Sequence, residues 1–414
     1  MEHTSYLIWA LLWIIGWGTV GGIVTPRIYE RKDLDVSQAA LSGAVTGAAG
    51  GPFSLAALWY LTPKLDWKWV VIPGIVVGVI FAGAFAAADP NNLCVTNAGF
   101  VVTQIVNGLV IGTIYGLMAL GLTLIFSILG IVSFAHGEFY MLGGMAVYYI
   151  TNVWFPGVHP VIGVLGAALL TFAIGVIFER LFLRAMNTGA VERPGEYAIL
   201  VTFGLAFFLQ YLTLALVGAN PKKVQRFFEY PTVSLPSADN PSLLKMTAAT
   251  VKLFDLVSIP SPRLTAAIIA LILLGLLMWF LYYTWIGKAL RAVSQDRQAA
   301  AVTGINPDTM NTLAFGLGAM LAGLSGASLV QVFSWVPWVG TPASARSFVI
   351  IVLGGMGSLP GAFIGGLIVG LVEALGAGCV PDPQRAAAYI PAYGMFILTL
   401  VLLLKPTGLF GREL

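Results

Sequence analysis

Charge is scarce in this sequence. Only 9% of its 414 residues are Asp, Glu, Lys or Arg, against roughly 25% in soluble globular proteins, while 58% are hydrophobic and the mean hydropathy is +0.90. So few charges cannot solvate a surface, which excludes a water-soluble enzyme and leaves the bilayer as the solvent. The 21 basic and 18 acidic residues are interspersed, with no basic stripe of the kind nucleic acid requires, so nothing points to DNA or RNA as a partner. Cysteine and histidine are scarcer still. Cys94 and Cys379 cannot form a disulfide framework or a four-ligand zinc site, and His3, His136 and His159 share no metal-ligand spacing. No Gly-x-x-x-x-Gly-Lys-Ser/Thr run occurs, so the chain cannot by itself cradle nucleotide phosphates in the P-loop manner.

Long uncharged runs are what the sequence has in abundance. A helix needs about 20 apolar residues to cross the hydrocarbon core, and its backbone amides must pair internally. About eleven such runs occur, predicting an all-α polytopic membrane protein. Three of them, Leu7 to Thr25, Ser37 to Leu61 and Val70 to Ala88, make an N-terminal block over residues 1–97, closed by the polar break Asp89 to Asn97. The leader Met1 to Ser5 holds Glu2 and no Lys or Arg, and no small-residue cleavage site follows, so the first run reads as a retained span. The other eight cover Phe100–Leu129, Ile131–Ile150, Val161–Phe182, Ala198–Val217, Leu264–Tyr283, Leu313–Val332, Phe348–Leu375 and Tyr389–Leu404.

Two regions interrupt these rods. Between Leu129 and Glu138, Gly130 and Gly137 together with His136 and Glu138 break an apolar stretch that also holds Ser133 and Phe134. In the run Leu353 to Gly361, Pro360 removes a backbone donor while Gly354, Gly355 and Gly357 favour non-helical backbone. Broken helices at membrane depth are tolerated only where protein or water surrounds them, which makes both breaks candidates to line a pathway. Elsewhere glycines recur at four-residue spacing: Gly108, Gly112 and Gly116, then Gly361, Gly365, Gly366 and Gly370. These read as close-packing faces between helices, as do Gly43, Gly47, Gly50 and Gly51.

Two polar segments connect the spans. Gly218 to Arg263, with prolines among Ser, Asn and Asp, predicts an irregular loop capping one face. Trp285 to Pro307 is rich in Ala, Arg and Gln, predicting a short surface helix that ends at Gly304 with Pro307 beyond. Lys288, Arg291, Asp296 and Arg297 can point to water while alanines present a smooth face. Spacing alone leaves two readings open, a docking surface or a solvated connector.

At this point the residues resemble a family, the membrane permease subunits of bacterial branched-chain amino acid ABC transporters, within the wider hydrophobic amino acid, amide and urea uptake group. Three stretches carry the resemblance: Asn107-Gly108 through Tyr115 to Gly121 into the Ser133 to Glu138 break; the Gly287 to Ile305 loop; and Leu353 to Ala362, closing in Lys405 to Gly411. It covers roughly residues 98–414, with Gly287, Arg291, Asp296, Ala300, Gly304 and Ile305 at the places of the family's ATPase-coupling loop, 285–307. Such permeases usually begin near the equivalent of Val101, so Met1 to Asn97 is an extension. The resemblance implies an inner-membrane importer subunit, without cofactor or metal, that pairs with a second permease. ATP and Mg would sit on two cytoplasmic ATPase subunits, and a periplasmic protein would deliver branched-chain or related small amino acids. Urea, amides or aromatic carboxylates are alternative cargo. An ion-coupled secondary carrier is the alternative of another class, disfavoured because the spans show no inverted halves and few intramembrane carboxylates.

Placing 285–307 in the cytoplasm agrees with Arg180, Arg184, Arg193, Lys405 and Arg412, whereas Lys222, Lys223, Arg226, Lys245, Lys252 and Arg263 then fall outside, against the positive-inside tendency. For His136 and Glu138 two readings stand level: they line or gate the pathway, or they cap the broken helix ends. Glu373, near the end of a long apolar run, is expected at the interface. Cys94 and Cys379 lie in polar segments that can face an oxidising compartment, where disulfides persist. Free thiols are nevertheless the expectation, a bond between them the alternative.

Overall fold

The computed structural model describes residues 14, 16–23, 25–26, 41, 43–45, 47–48, 94, 97–187, 191–228, 233–237, 240–247, 249–253, 257–379 and 386–411. The chain divides into two compact units. The first comprises Met1–Val101, Gly376–Tyr389 and Thr399–Pro406, and the second Val102–Leu375, Ile390–Leu398 and Thr407–Leu414. In the first unit the described residues between 14 and 48 are helical, and Gly43 and Gly47 abut the backbone of Gly21 and Trp17, the close approach that their spacing suggested. The expected span Val70 to Ala88 lies outside the described residues.

Among the described residues six helices are long and apolar enough to cross a membrane. From residue 98 on, the helices of any length begin with α1 (Ala98–Leu129), α2 (His136–Tyr148, continued by a π turn over Tyr149–Trp154), α3 (Pro160–Leu181), α4 (Pro194–Val217) and α5 (Ser261–Tyr283). Two short ones follow, α6 (Trp285–Gln295) and α7 (Arg297–Val302), and then α8 (Pro307–Leu329), α9 (Gly340–Gly354), α10 (Leu359–Cys379) and α11 (Ala386–Leu404). Prolines open α3, α4, α5 and α8, where a missing N–H costs nothing because the first-turn amides lack helical acceptors. Asn306 completes the start of α8, its Oδ1 accepting from the amides of Asp308 at 3.0 Å and Thr309 at 3.3 Å.

The middle of the second unit is α8, which packs against α2 and α3 along glycines. A Cβ at Gly318 would stand 2.6 Å from the Gly121 carbonyl, and one at Gly175 would stand 2.8 Å from the Ala319 methyl, so only hydrogen fits. The glycine stripe of α1 meets α10 antiparallel: Gly108 faces Gly370 and Leu371, Gly112 faces Gly366 and Leu367, and Gly116 faces Phe363. Bringing backbones this close supplies dispersion contacts that lipid cannot replace. Because Leu367 Cα lies 2.8 Å from where a Gly112 Cβ would stand, Gly112→Leu is expected to cost about 1–3 kcal/mol or more through overpacking. A lowered melting temperature of the detergent-solubilised protein checks this, and an unchanged one counts against the packing.

The segment expected to be an irregular loop is instead an antiparallel sheet. Strands β1 (Val233–Ser237), β2 (Asn240–Met246), β3 (Thr250–Leu253) and β4 (Val257–Pro260) pair in sequence order, with Leu244 opposite Leu253 and Val251 opposite Ile259. Alternation supports the last strand, since Val257 and Ile259 are buried and their neighbours less so. Ahead of the sheet, Lys222 and Trp335 exchange backbone hydrogen bonds of 2.8 Å each way. The described residues are therefore mostly helical, with one small sheet among them.

Cys94 and Cys379 are joined by a disulfide with Cα atoms 5.3 Å apart, across 285 residues of sequence. The bond overturns the expectation of free thiols, because the fold sets Cys379, ending α10, beside Cys94, just before α1. Cys94→Ser is expected to remove the mobility difference between non-reducing and reducing gels, and to lower the melting temperature.

Candidate functional site

The first break follows from Gly130, whose φ of 70° ends α1 in a conformation that L side chains rarely adopt. The chain then doubles back through Ser133 to Ala135, and α2 begins at His136 against the middle of α1. The His136 Nε2–H donates to the Met118 carbonyl at 2.8 Å, which leaves Nδ1 as a buried acceptor without a partner. Glu138 is 2% exposed, and its Oε2 likewise has no partner. Gly340, the first residue of α9, lies so close to Glu138 that a Cβ there would stand 2.6 Å from the carboxyl atoms. Glu138 thus sits in the first turn of α2 and against the first residue of α9. The positive ends of both helices favour negative charge there.

Neither His136 nor Glu138 caps the broken ends. That work falls to Ser344 of α9, whose Oγ accepts from the Gly137 amide at 2.8 Å and donates to the Phe134 carbonyl at 3.1 Å. Thr202 of α4 adds a third tie, accepting from the Phe134 amide at 3.3 Å. Ser133 is buried with its hydroxyl unpartnered, whereas the Phe134 ring is exposed and edge-on to Phe203. Trp335 backs the site: its indole N–H donates to the Met141 carbonyl at 2.9 Å, and its ring covers Gly144 beside Tyr140.

The second break splits the predicted span Phe348–Leu375 into α9 and α10. Gly355 and Gly357 adopt φ of 99° and 85°. Ser358 accepts from the Gly361 amide at 3.2 Å, and Pro360 occupies the first turn of α10. Here the closing motif of the chain docks, with the amides of Leu409 and Phe410 donating to the carbonyls of Leu353 and Gly354 at 2.9 Å each. Gly354 and Gly355 are buried in that clasp. The two breaks stand at opposite ends of α9, roughly 22 Å apart at 1.5 Å per residue.

The segment expected to form one surface helix forms two. Thr284 caps α6 by accepting from the Gly287 amide at 3.1 Å. Asp296 caps α7, accepting from the amides of Gln298 at 2.8 Å and Ala299 at 2.9 Å. Gly304, with φ of 89°, ends the pair, and Pro307 starts α8 directly. Several residues matched to the coupling loop are scaffold. Arg291 turns back to the Leu281 carbonyl at 3.1 Å and over the Tyr282 ring. Gly287 abuts Leu281, Ala300 is buried, and the Ile305 amide donates to Ala300 at 3.1 Å. The outer face is Gln298, Ala299, Ala301 and Val302, the last 87% exposed. Arg297 ties α7 to Asp308 at 3.2 Å. One turn on, Thr312 hydrogen-bonds the buried Glu179 carboxyl of α3.

A third cluster escaped sequence reasoning. Glu373 is buried within the protein, accepting from Arg346 Nε at 2.9 Å and from the Tyr115 hydroxyl at 3.0 Å. It joins α1, α9 and α10. A basic residue nearly two turns into an apolar helix is the available signal, but its partner lies 27 residues away.

Residues 104–405 match the family described as the permease component of branched-chain amino acid transport systems. The chain belongs to that family. The permease is 30% identical over 320 residues to the high-affinity branched-chain amino acid transport system permease protein LivH of Salmonella typhimurium, covering 76% of this chain and 96% of LivH. It is 32% identical over 316 residues to BraD of Pseudomonas aeruginosa, described in the same words, covering 75% and 95%. The fructose import permease protein FruF of Bifidobacterium longum is 26% identical over 323 residues, covering 76% and 80%. No solved structure matches the permease. The matched region contains both breaks and the paired helices α6 and α7, and it starts after the N-terminal block.

Proposed function

We propose that this permease is one of two permease subunits of an inner-membrane ABC importer for branched-chain or related small amino acids. The observation that carries the reading is the near full-length similarity to LivH and BraD, whose names state that cargo. Residues 98–414 form the transporter domain and 1–97 an extension outside the family match. Helices α6 and α7 meet the ATPase, with Ala299, Ala301 and Val302 as a small apolar face that a groove on a partner can take. Arg297 and Asp308 pass that contact to α8 and, through Thr312, to α3. The pathway runs past the first break, where Glu138 and His136 keep buried polar atoms unpaired at a cost of about 1–3 kcal/mol each. The second break acts as a clasp that fixes the inner end of α9.

In this reading the permease performs no covalent chemistry. ATP and Mg are held by two cytoplasmic ATPase chains, a periplasmic binding protein delivers substrate, and alternation of the pathway does the work. The sheet β1–β4 faces the periplasm in this reading, since α8 leads from the cytoplasmic coupling helices to the Lys222–Trp335 bridge ahead of the sheet. A second cargo is favoured by a specific observation: FruF, a fructose permease by name, aligns over a similar length. Urea, amides and aromatic carboxylates are further candidates. Purification of the permease in mild detergent tests the assembly and cargo together. ATPase subunits are expected to co-purify, and the reconstituted complex to accumulate leucine, isoleucine or valine in preference to fructose or urea. Uptake of fructose alone would overturn the cargo, and purification without any ATPase would overturn the assembly.

A further inference from the structure

We propose that the Arg346 guanidinium receives the carboxylate of the transported amino acid, with Glu373 and Tyr115 as the residues that position it. This rests on the importer reading above and names a contact within it.

The geometry leaves the useful half of the guanidinium free. Glu373 spends Oε1 on Arg346 Nε at 2.9 Å and Oε2 on the Tyr115 hydroxyl at 3.0 Å, so its carboxylate is fully engaged. Arg346 gives that partner only Nε, and its terminal nitrogens have no hydrogen-bond partner among the described residues. Its side chain is 28% exposed, whereas that of Glu373 is 8% exposed. Anchoring α9 to α10 needs only a point charge, which a lysine supplies. An arginine held by Nε presents its two terminal nitrogens outward as a planar fork, the arrangement that takes a carboxylate in two parallel hydrogen bonds.

The surroundings fix that fork. The guanidinium lies 5.6 Å from the centre of the Tyr115 ring, so helices α1 and α10 together set its direction. Unpaired donors directed at lipid would be costly, so an exposed fork within a span faces a wet or protein-lined space. Six residues earlier on the same helix, Gly340 bears on the Glu138 carboxyl. That is about 9 Å of helix rise from Arg346.

The test uses the complete transporter in proteoliposomes with its binding protein and leucine. Arg346→Gln is expected to lower ATP-driven uptake by about tenfold or more, the loss expected for one charge-assisted bidentate contact. Arg346→Lys keeps the tie to Glu373 but loses the fork. It is expected to assemble normally and still raise the leucine concentration for half-maximal uptake, which a purely structural ion pair would not do. Saturating leucine should also slow modification of Arg346→Cys by a cationic methanethiosulfonate. Wild-type uptake by both the Gln and Lys variants, or a modification rate indifferent to leucine, would overturn the proposal. Failure of the importer reading looks different, because the unmodified transporter would then not accumulate leucine at all.

Discussion

Val302→Glu is expected to abolish ATP-driven uptake and to release the ATPase subunits from the purified complex. Val302 is 87% exposed at the end of α7, beside Ala299 and Ala301, and no fold contact needs it. A charge at the centre of a small apolar contact must be desolvated without a partner. An unpaired charge buried at an interface is expected to cost about 2 kcal/mol or more, roughly a thirtyfold loss of affinity. The melting temperature of the isolated permease should not change, which separates lost docking from lost folding. Normal ATPase co-purification with Val302→Glu would mean that α7 is a solvated connector, the other reading its spacing left open.

Glu138→Gln carries the second large effect and the opposite signature. The side chain is 2% exposed and Oε2 has no partner, so the native group costs stability. Replacing it with a neutral isostere should leave the melting temperature unchanged or raise it, while uptake falls by about tenfold or more. Residues retained at a stability cost are the usual mark of a functional position. His136→Ala behaves differently, because Nε2 ties the start of α2 to Met118 at 2.8 Å. Both stability and uptake are expected to fall there. Undiminished uptake in Glu138→Gln would show that the carboxyl only fills space against Gly340.

The sequence displayed the rods well and the tertiary ties poorly. Continuous apolar runs located α1, α3, α4, α5 and α8, since a span signals itself without any partner. Glycine and proline marked both breaks because φ above zero and a missing N–H are local properties, and Gly130, Gly355 and Gly357 do adopt positive φ. The strands were hidden because each has at most seven residues and prolines punctuate them, so pairing between neighbours decides them. Ser344 could not be foreseen as the cap of a break 207 residues away in sequence. The pairing of Cys94 with Cys379 depends in the same way on chain ends that only the fold brings together. Arg346 cannot be read from its own helix, because its partners Glu373 and Tyr115 stand on two others.

The central claim is that this permease moves its cargo only when partner ATPases act on α6 and α7. Purified complex and purified permease alone, reconstituted into matched liposomes and offered leucine with the binding protein, test it most directly. Accumulation that needs the complete complex and ATP, and that is indifferent to proton or sodium gradients, is the predicted result. Gradient-driven accumulation by the permease alone would contradict it.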